Sequence, residues 1–418
     1  MLFKRRKGPR YPGRPPLPMV RRRIPMRYHM RHQFGVREAA FRQTMYALTG
    51  MALAEGNRVE ILKNGVCFFP PMLAAIRGAR KTINLEFYIY WDGEVGRMFA
   101  EALAERARAG VTVNVILDSV GSSSMSRDLV LFMQRNGINV EWYHPIRWYT
   151  LSRVNHRTHR KLLIVDGEIG FSGGFGIADE WLGDADSRDH WRKTVVRVEG
   201  PVVTQMQFAF MDNWVKSRDE LLTGLDYFPT LENRGAHCAQ VIKSSPTEGS
   251  SAVKMLYIVS IVSAQRSIYI SNAYFVPDRD TLRALETAVR RGVDVRVIVP
   301  GEYTDVPIVR QAARMQYERM LRRGIRIFEY QPTMMHAKTM VVDGIWSTIG
   351  SSNFDDRSFR LNDEVNVNVF DEGIATQMEK MFFEDLARSE EITARRWLRR
   401  PFFDRLKETV AAWFKPQL

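Results

Sequence analysis

Two histidines and two lysines recur in this chain at matched spacing. His159, Lys161 and Asp166 spell H-x-K-x4-D, and His336, Lys338 and Asp343 spell it again. The apolar, β-branched residues between each Lys and Asp read as a strand. Each strand runs into an Asp-Gly pair, a turn signal. Residues two apart on a strand share a face, so each copy presents an imidazole beside an ammonium. Seven residues after each Asp comes a pair of small residues, Gly173-Gly174 and Gly350-Ser351. Small side chains there let backbone and hydroxyl approach a bound phosphate.

This set of groups suits phosphodiester chemistry. A phosphodiester is anionic and repels nucleophiles. Two lysines can neutralise its oxygens as charge builds in the transition state. One neutral imidazole can attack phosphorus and hold the phosphoryl group covalently. A second imidazole can protonate the leaving alkoxide and later take a proton from the incoming alcohol. Asp166 and Asp343 complete the motif, but each is followed by Gly and reads better as a turn and ion-pair residue. No carboxylates, histidines or cysteines cluster at ligand spacing, so neither a metal nor another cofactor is expected. Cys67 and Cys238 are far apart and suggest no disulfide framework.

The elements that must position these groups are themselves duplicated. Residues 79–85 (ARKTINL) followed by Phe87-Tyr88 match residues 264–270 (AQRSIYI) followed by Tyr274-Phe275. Helical patterns follow at 99–109 and 282–291, closed by Gly110 and Gly292. The strands 111–117 and 293–299 come next, then a further helix, glycine and strand around Gly137 and Gly324. Strand and helix alternating in both halves predict an α/β fold of two duplicated lobes, with mostly parallel sheets flanked by helices. The active site is expected at the lobe interface. The expected segments are a basic tail over 1–37, lobes over 38–221 and 250–390, a linker over 222–249 and an amphipathic helix over 391–418.

With both motifs in view, the chain resembles the phospholipase D superfamily, and within it the bacterial cardiolipin synthases. The resemblance covers nearly all of the chain after residue 55. It is carried by Tyr88-Ile89-Tyr90, residues 155–161 (NHRTHRK), residues 272–277 (NAYFVP) and, most specifically, residues 350–364 (GSSNFDDRSFRLNDE). It implies transfer of a phosphatidyl group from one phospholipid to a headgroup hydroxyl of phosphatidylglycerol. It assigns the nucleophile to His159 and the acid–base role to His336, which spacing alone leaves interchangeable. It also implies that Ser351 and Asn353 bind phosphate or hold the lysines, and that Glu364 orients the opposite imidazole. Two positions depart from the family pattern. Gly176 stands where an Asn is usual, and Lys193 stands where an acid should orient His336. Asp189 is the candidate replacement for that acid.

Charge and amphipathicity point to a lipid surface. Residues 1–32 hold eleven Lys or Arg and no acid, while the rest of the chain carries only about +3 of the +14 net charge. Six prolines in that stretch forbid a continuous helix and predict a disordered tail. Such a tail suits anionic phospholipid headgroups, here phosphatidylglycerol and cardiolipin. At the other end, Phe402, Phe403, Leu406, Val410, Trp413 and Phe414 recur at helical spacing among Arg and Lys, as in an interfacial anchor. Trp142, Tyr143, Trp148 and Tyr149, with Arg147 and Arg153, are expected to rim the lipid entrance. No run of eighteen apolar residues occurs, and no signal-peptide core follows the basic start. A peripheral enzyme on the cytoplasmic side of the inner membrane is the expectation, with no nucleic-acid partner. A hydrolase of phosphodiesters and a non-catalytic lipid or nucleic-acid binder are the competing readings. The intact His and Lys pairs speak against the latter.

Overall fold

A computed structural model describes residues 31–145, 155–245, 249 and 251–398. The first lobe contributes β1 (Ala54–Lys63), β2 (Thr82–Phe87), β3 (Thr112–Asp118), β4 (Asn139–Tyr143), β5 (Lys161–Val165), β6 (Ile169–Gly173) and β7 (Thr194–Glu199). The second contributes β8 (His237–Ser244), β9 (Ser267–Asn272), β10 (Asp294–Pro300), β11 (Arg326–Tyr330), β12 (Lys338–Val342), β13 (Trp346–Gly350) and β14 (Glu364–Phe370). A short β15 (Ser389–Ile392) closes the far edge beside β11. All belong to one 15-stranded sheet, ordered β15-β11-β10-β9-β12-β13-β14-β8-β1-β7-β6-β5-β2-β3-β4. The order is palindromic about the β8–β1 seam, so the duplication in the sequence becomes an approximate two-fold axis.

The α/β duplication holds, but the expectation of mostly parallel sheets needs correcting. Only β2-β3-β4 and β9-β10-β11 pair in parallel, joined by the helices Glu94–Arg108, Arg127–Arg135, Arg279–Arg290 and Pro307–Arg322. Every other pairing among the described strands is antiparallel. The reason is local: the Asp-Gly turns fold β5–β6 and β12–β13 into hairpins, which cannot be parallel. Gly110 and Gly292 end their helices at φ of 92° and 91°, where a Cβ would be strained.

Two other segments differ from the expected division. The stretch read as linker contains β8, which pairs with β14 over seven residues and with β1 across the seam. The helix Ala39–Thr49, placed in the first lobe by sequence order, packs on the second. Phe41 and Met45 lie one turn apart and are fully buried in the second lobe's core, with Phe41 edge-on to Trp346 at 5.0 Å. A shared core also crosses the seam, from Ile164, Val196 and Val198 to Val241, Ile349 and Val367. The lobes are therefore fixed to each other by burial rather than hinged. The basic tail up to residue 30, Arg147, Trp148, Tyr149 and Arg153, and residues 399–418 of the terminal helix lie outside the described residues.

Candidate active site

Each motif histidine is held by a strand of the opposite lobe. The His159 N–H donates to the Asp363 carbonyl at 2.9 Å, immediately before β14. The His336 N–H donates to the Arg192 carbonyl at 3.0 Å, two residues before β7. Parallel bridges Thr158–Asp363 and Arg192–Met335 repeat the relationship. Both imidazoles consequently line one cleft of about 310 Å³ between the lobes, together with Lys161, Tyr88, Tyr274, Trp191 and Asn353. Lys338 stands beside it, with Nζ 3.1 Å from both ring nitrogens of His336. Lys161 Nζ donates back to the His159 carbonyl.

The two-fold axis breaks down at the groups behind the imidazoles. Behind His159 is Glu364, its carboxylate oxygens both 3.0 Å from Nδ1. Ser351 Oγ donates to that carboxylate and fixes its rotamer. Burial alone would raise the Glu364 carboxyl, but His159, Lys161 and Ser351 together hold it down to about 2. Burial lowers His159 to about 4 against the pull of Glu364, so the ring is neutral at neutral pH. A neutral ring donating Nδ1–H to a carboxylate leaves Nε2 with a free lone pair. Behind His336, the equivalent position is Lys193, whose Nζ meets Nδ1 directly. Burial, then the charges of Lys193 and Lys338, push His336 well below its ordinary value.

Burial also lowers Lys338 to about 7 and drives Lys161 well down. Burial of these neighbouring cationic groups favours losing protons, against the pull of Asp305, Glu364 and Asp355 on Lys338. A bound phosphodiester reverses that balance, because its negative charge restores the ammonium forms. The site is thus built to be completed by an anion.

The remaining sequence-predicted residues fall into three places. Asp166 and Asp343, which complete the two motifs, stand away from the imidazoles. Each sits at φ 54° roughly 20 Å along its strand from the imidazole. The Asp166 carboxylate accepts from the N–H groups of Arg80, Lys81 and Thr82 at 2.8–2.9 Å. The Asp343 carboxylate does the same for Gln265, Arg266 and Ser267 at 2.7–2.9 Å. Gly173 and Gly174 stand in close approach to the protein backbone. A Cβ on Gly174 would lie 2.9 Å from the His336 carbonyl, and one on Gly173 would lie 2.6 Å from that of Thr194. Asn353 does face the cleft, with its Oδ1 buried and without a partner.

The departure at Gly176 is explained by aromatic packing. A Cβ on Gly176 would meet Ile89 and Trp181 at 3.1 Å, so Trp181 fills the space an Asn would need. Asp189 is exposed and does not reach His336. Tyr143, expected at a lipid-facing rim, is buried, and its hydroxyl donates to Asp363. Trp142 is half-buried against the first-lobe core.

Comparison with known proteins agrees with this geometry. The family model described as cardiolipin synthase, PLD-like domain, matches residues 72–196 and 257–386, one match in each lobe. A cardiolipin synthase of Listeria monocytogenes is 34% identical over 372 residues, covering 88% of this chain and 77% of that protein. One from Geobacillus kaustophilus is 33% identical over 406 residues, covering 96% and 79%. This chain belongs to the cardiolipin synthase family. The crystal structure of phosphatidylserine synthase from Haemophilus influenzae shares the fold, at a TM-score of 0.71 and 12% identity over 90% of this chain and 99% of that one.

Several cleft residues escaped the sequence reading. Tyr88 and Tyr274 stand edge-on to His159 and His336, with ring centroids 5.3 and 5.9 Å away. Their ring faces also lie near Lys161 and Lys338. The sequence offers them only among the residues that carry the family resemblance, and by strand register they are not equivalent, since Lys161 pairs with Phe87 and Lys338 with Asn272. Asn362, whose Oδ1 is buried without a partner, and Trp181 are brought to the cleft only by the fold.

Proposed function

We propose that this protein makes cardiolipin by moving a phosphatidyl group from one phospholipid to phosphatidylglycerol through a phosphohistidine on His159. The observation that carries the assignment is the Glu364 carboxylate on His159 Nδ1. It frees Nε2 to attack phosphorus, and it stabilises the positive charge that the ring gains on phosphorylation. Lys161 and Lys338 balance the charge on the phosphoryl oxygens. His336 gives a proton to the departing headgroup alkoxide and then takes one from the phosphatidylglycerol hydroxyl. Asn353, with its unpartnered Oδ1, is placed to accept from a substrate hydroxyl. The reaction takes place at an anionic membrane surface, which the basic residues of 1–32 suit.

The test is product analysis on vesicles of phosphatidylglycerol, alone and mixed with phosphatidylethanolamine, with purified protein and its His159→Ala variant. Cardiolipin formed only with intact His159 supports the reading, and the released glycerol or ethanolamine names the donor. Phosphatidic acid without cardiolipin would replace transfer by hydrolysis.

A further inference from the structure

The cationic partner of His336 creates a chemical problem. An acid–base imidazole must carry a transferable proton when the headgroup leaves. His159, whose partner is a carboxylate, could hold an extra proton more readily than His336, whose partner is an ammonium. Yet Lys193 is not an accidental neighbour. It is fully buried, its Nζ donates to the Gly174 carbonyl at 2.9 Å, and it meets His336 Nδ1, which itself lies 2.9 Å from that same carbonyl. The rings of Trp181 and Trp191 flank it at 4.8 and 5.1 Å, a cage suited to an ammonium. The surrounding charges are Lys338 on β12, Lys161 on β5 and Asp305 at the cleft mouth. Tyr274 also borders the His336 ring, and its hydroxyl donates to Asp305.

We infer that Lys193 is a positioning residue that stores the proton for His336, so that the two side chains act as one acid–base unit. In the resting form, the Lys193 ammonium donates to Nδ1, and His336 is neutral with its proton on Nε2. When His159 Nε2 bonds to phosphorus and the headgroup P–O bond breaks, the alkoxide takes the Nε2 proton. A Lys193 proton moves to Nδ1, whose N–H then donates to the Gly174 carbonyl, leaving Lys193 as a neutral amine beside the same oxygen. In the second half, the acceptor hydroxyl bonds to phosphorus, its proton goes to Nε2, and the bond to His159 breaks. The Nδ1 proton returns to Lys193. His336 never becomes an imidazolium, and protons balance over the cycle. Burial and the charges of Lys338 and Lys161 push Lys193 well below an ordinary lysine, which makes its proton transferable.

This inference rests on the phosphatidyl-transfer reading, and the test separates the two. Labelling of His159 in a single turnover is followed from two donors with labelled phosphorus. One is phosphatidylglycerol, whose alkoxide needs a proton; the other is phosphatidyl-p-nitrophenol, whose phenolate leaves without one. Lys193→Met should slow labelling from phosphatidylglycerol by about 10²–10⁴-fold, the usual effect of removing a general acid. From the nitrophenyl donor it should slow labelling by less than about tenfold, which also reports that the variant is folded. Lys193→Arg, a cation that keeps its proton, should behave like Lys193→Met. Equal losses on both donors, or rescue by Arg, would reduce Lys193 to a structural charge and overturn the relay. Absence of labelling from either donor in the unmutated protein would instead overturn the transfer reading itself.

Discussion

His159 and Glu364 are 205 residues apart in the chain, yet both oxygens of the Glu364 carboxylate lie 3.0 Å from the Nδ1 of His159. One lobe supplies the imidazole and the other supplies the group that sets its tautomer. Glu364→Gln should therefore keep the lobes assembled and lower kcat by about 10²–10⁴-fold with a smaller change in KM. A single-turnover measurement should place the loss in formation of the phosphohistidine.

The low affinity of His159 for protons has a pH signature. Burial lowers it to about 4, so labelling of His159 should persist down to about pH 5, where an ordinary imidazole is mostly protonated. The stability consequence has a definite sign. Below its ordinary value near 6.5, the unfolded chain binds a proton at His159 that the folded chain refuses until about 4. That contribution is present above pH 6.5 and is lost as pH falls toward 4. Thermal melts over this range should show a decline in Tm that is shallower in His159→Gln.

Asp166 and Asp343 separate motif from mechanism. Each carboxylate satisfies three backbone N–H groups at the start of a neighbouring strand. Asp166→Ala or Asp343→Ala should cost about 2–3 kcal/mol of stability. Activity per folded molecule should stay within about threefold. His159→Ala should abolish turnover in the molecules that fold, with a stability cost of its own because it leaves the buried Glu364 carboxylate without that partner.

Gly176 tests the packing argument. Restoring the family's asparagine by Gly176→Asn forces a side chain against Ile89 and Trp181, both 3.1 Å from the position of its Cβ. Overpacking of this kind costs about 1–3 kcal/mol. Denaturant melts should show that loss, and a paired Trp181→Leu should recover part of it.

The crowding of cations should make the cleft responsive to anions. Inorganic phosphate at 100 times its Kd should stabilise the protein by about 2.7 kcal/mol. The rise in Tm should disappear in the Lys161→Met, Lys338→Met double variant.

What the sequence determined by itself was local or repeated. Spacing put each Lys on the face of its His, Asp-Gly closed the hairpins, and β-branched runs after helical patterns marked β2, β3, β9 and β10. The repetition identified the motif pair, and the departures at Gly176 and Lys193 were visible as residue types. Tertiary structure decided everything that depends on which strand lies beside which. Lys193 and His336 are 143 residues apart, and no periodicity links them. The direction of the outer strands, the docking of Phe41 on the second lobe and the exposure of Asp189 are likewise set by non-local burial. Strand propensity and alternation fix a backbone segment's shape but not its neighbour. The chemistry here resides in the neighbours: a carboxylate behind one imidazole, and a lysine caged by two tryptophans behind the other.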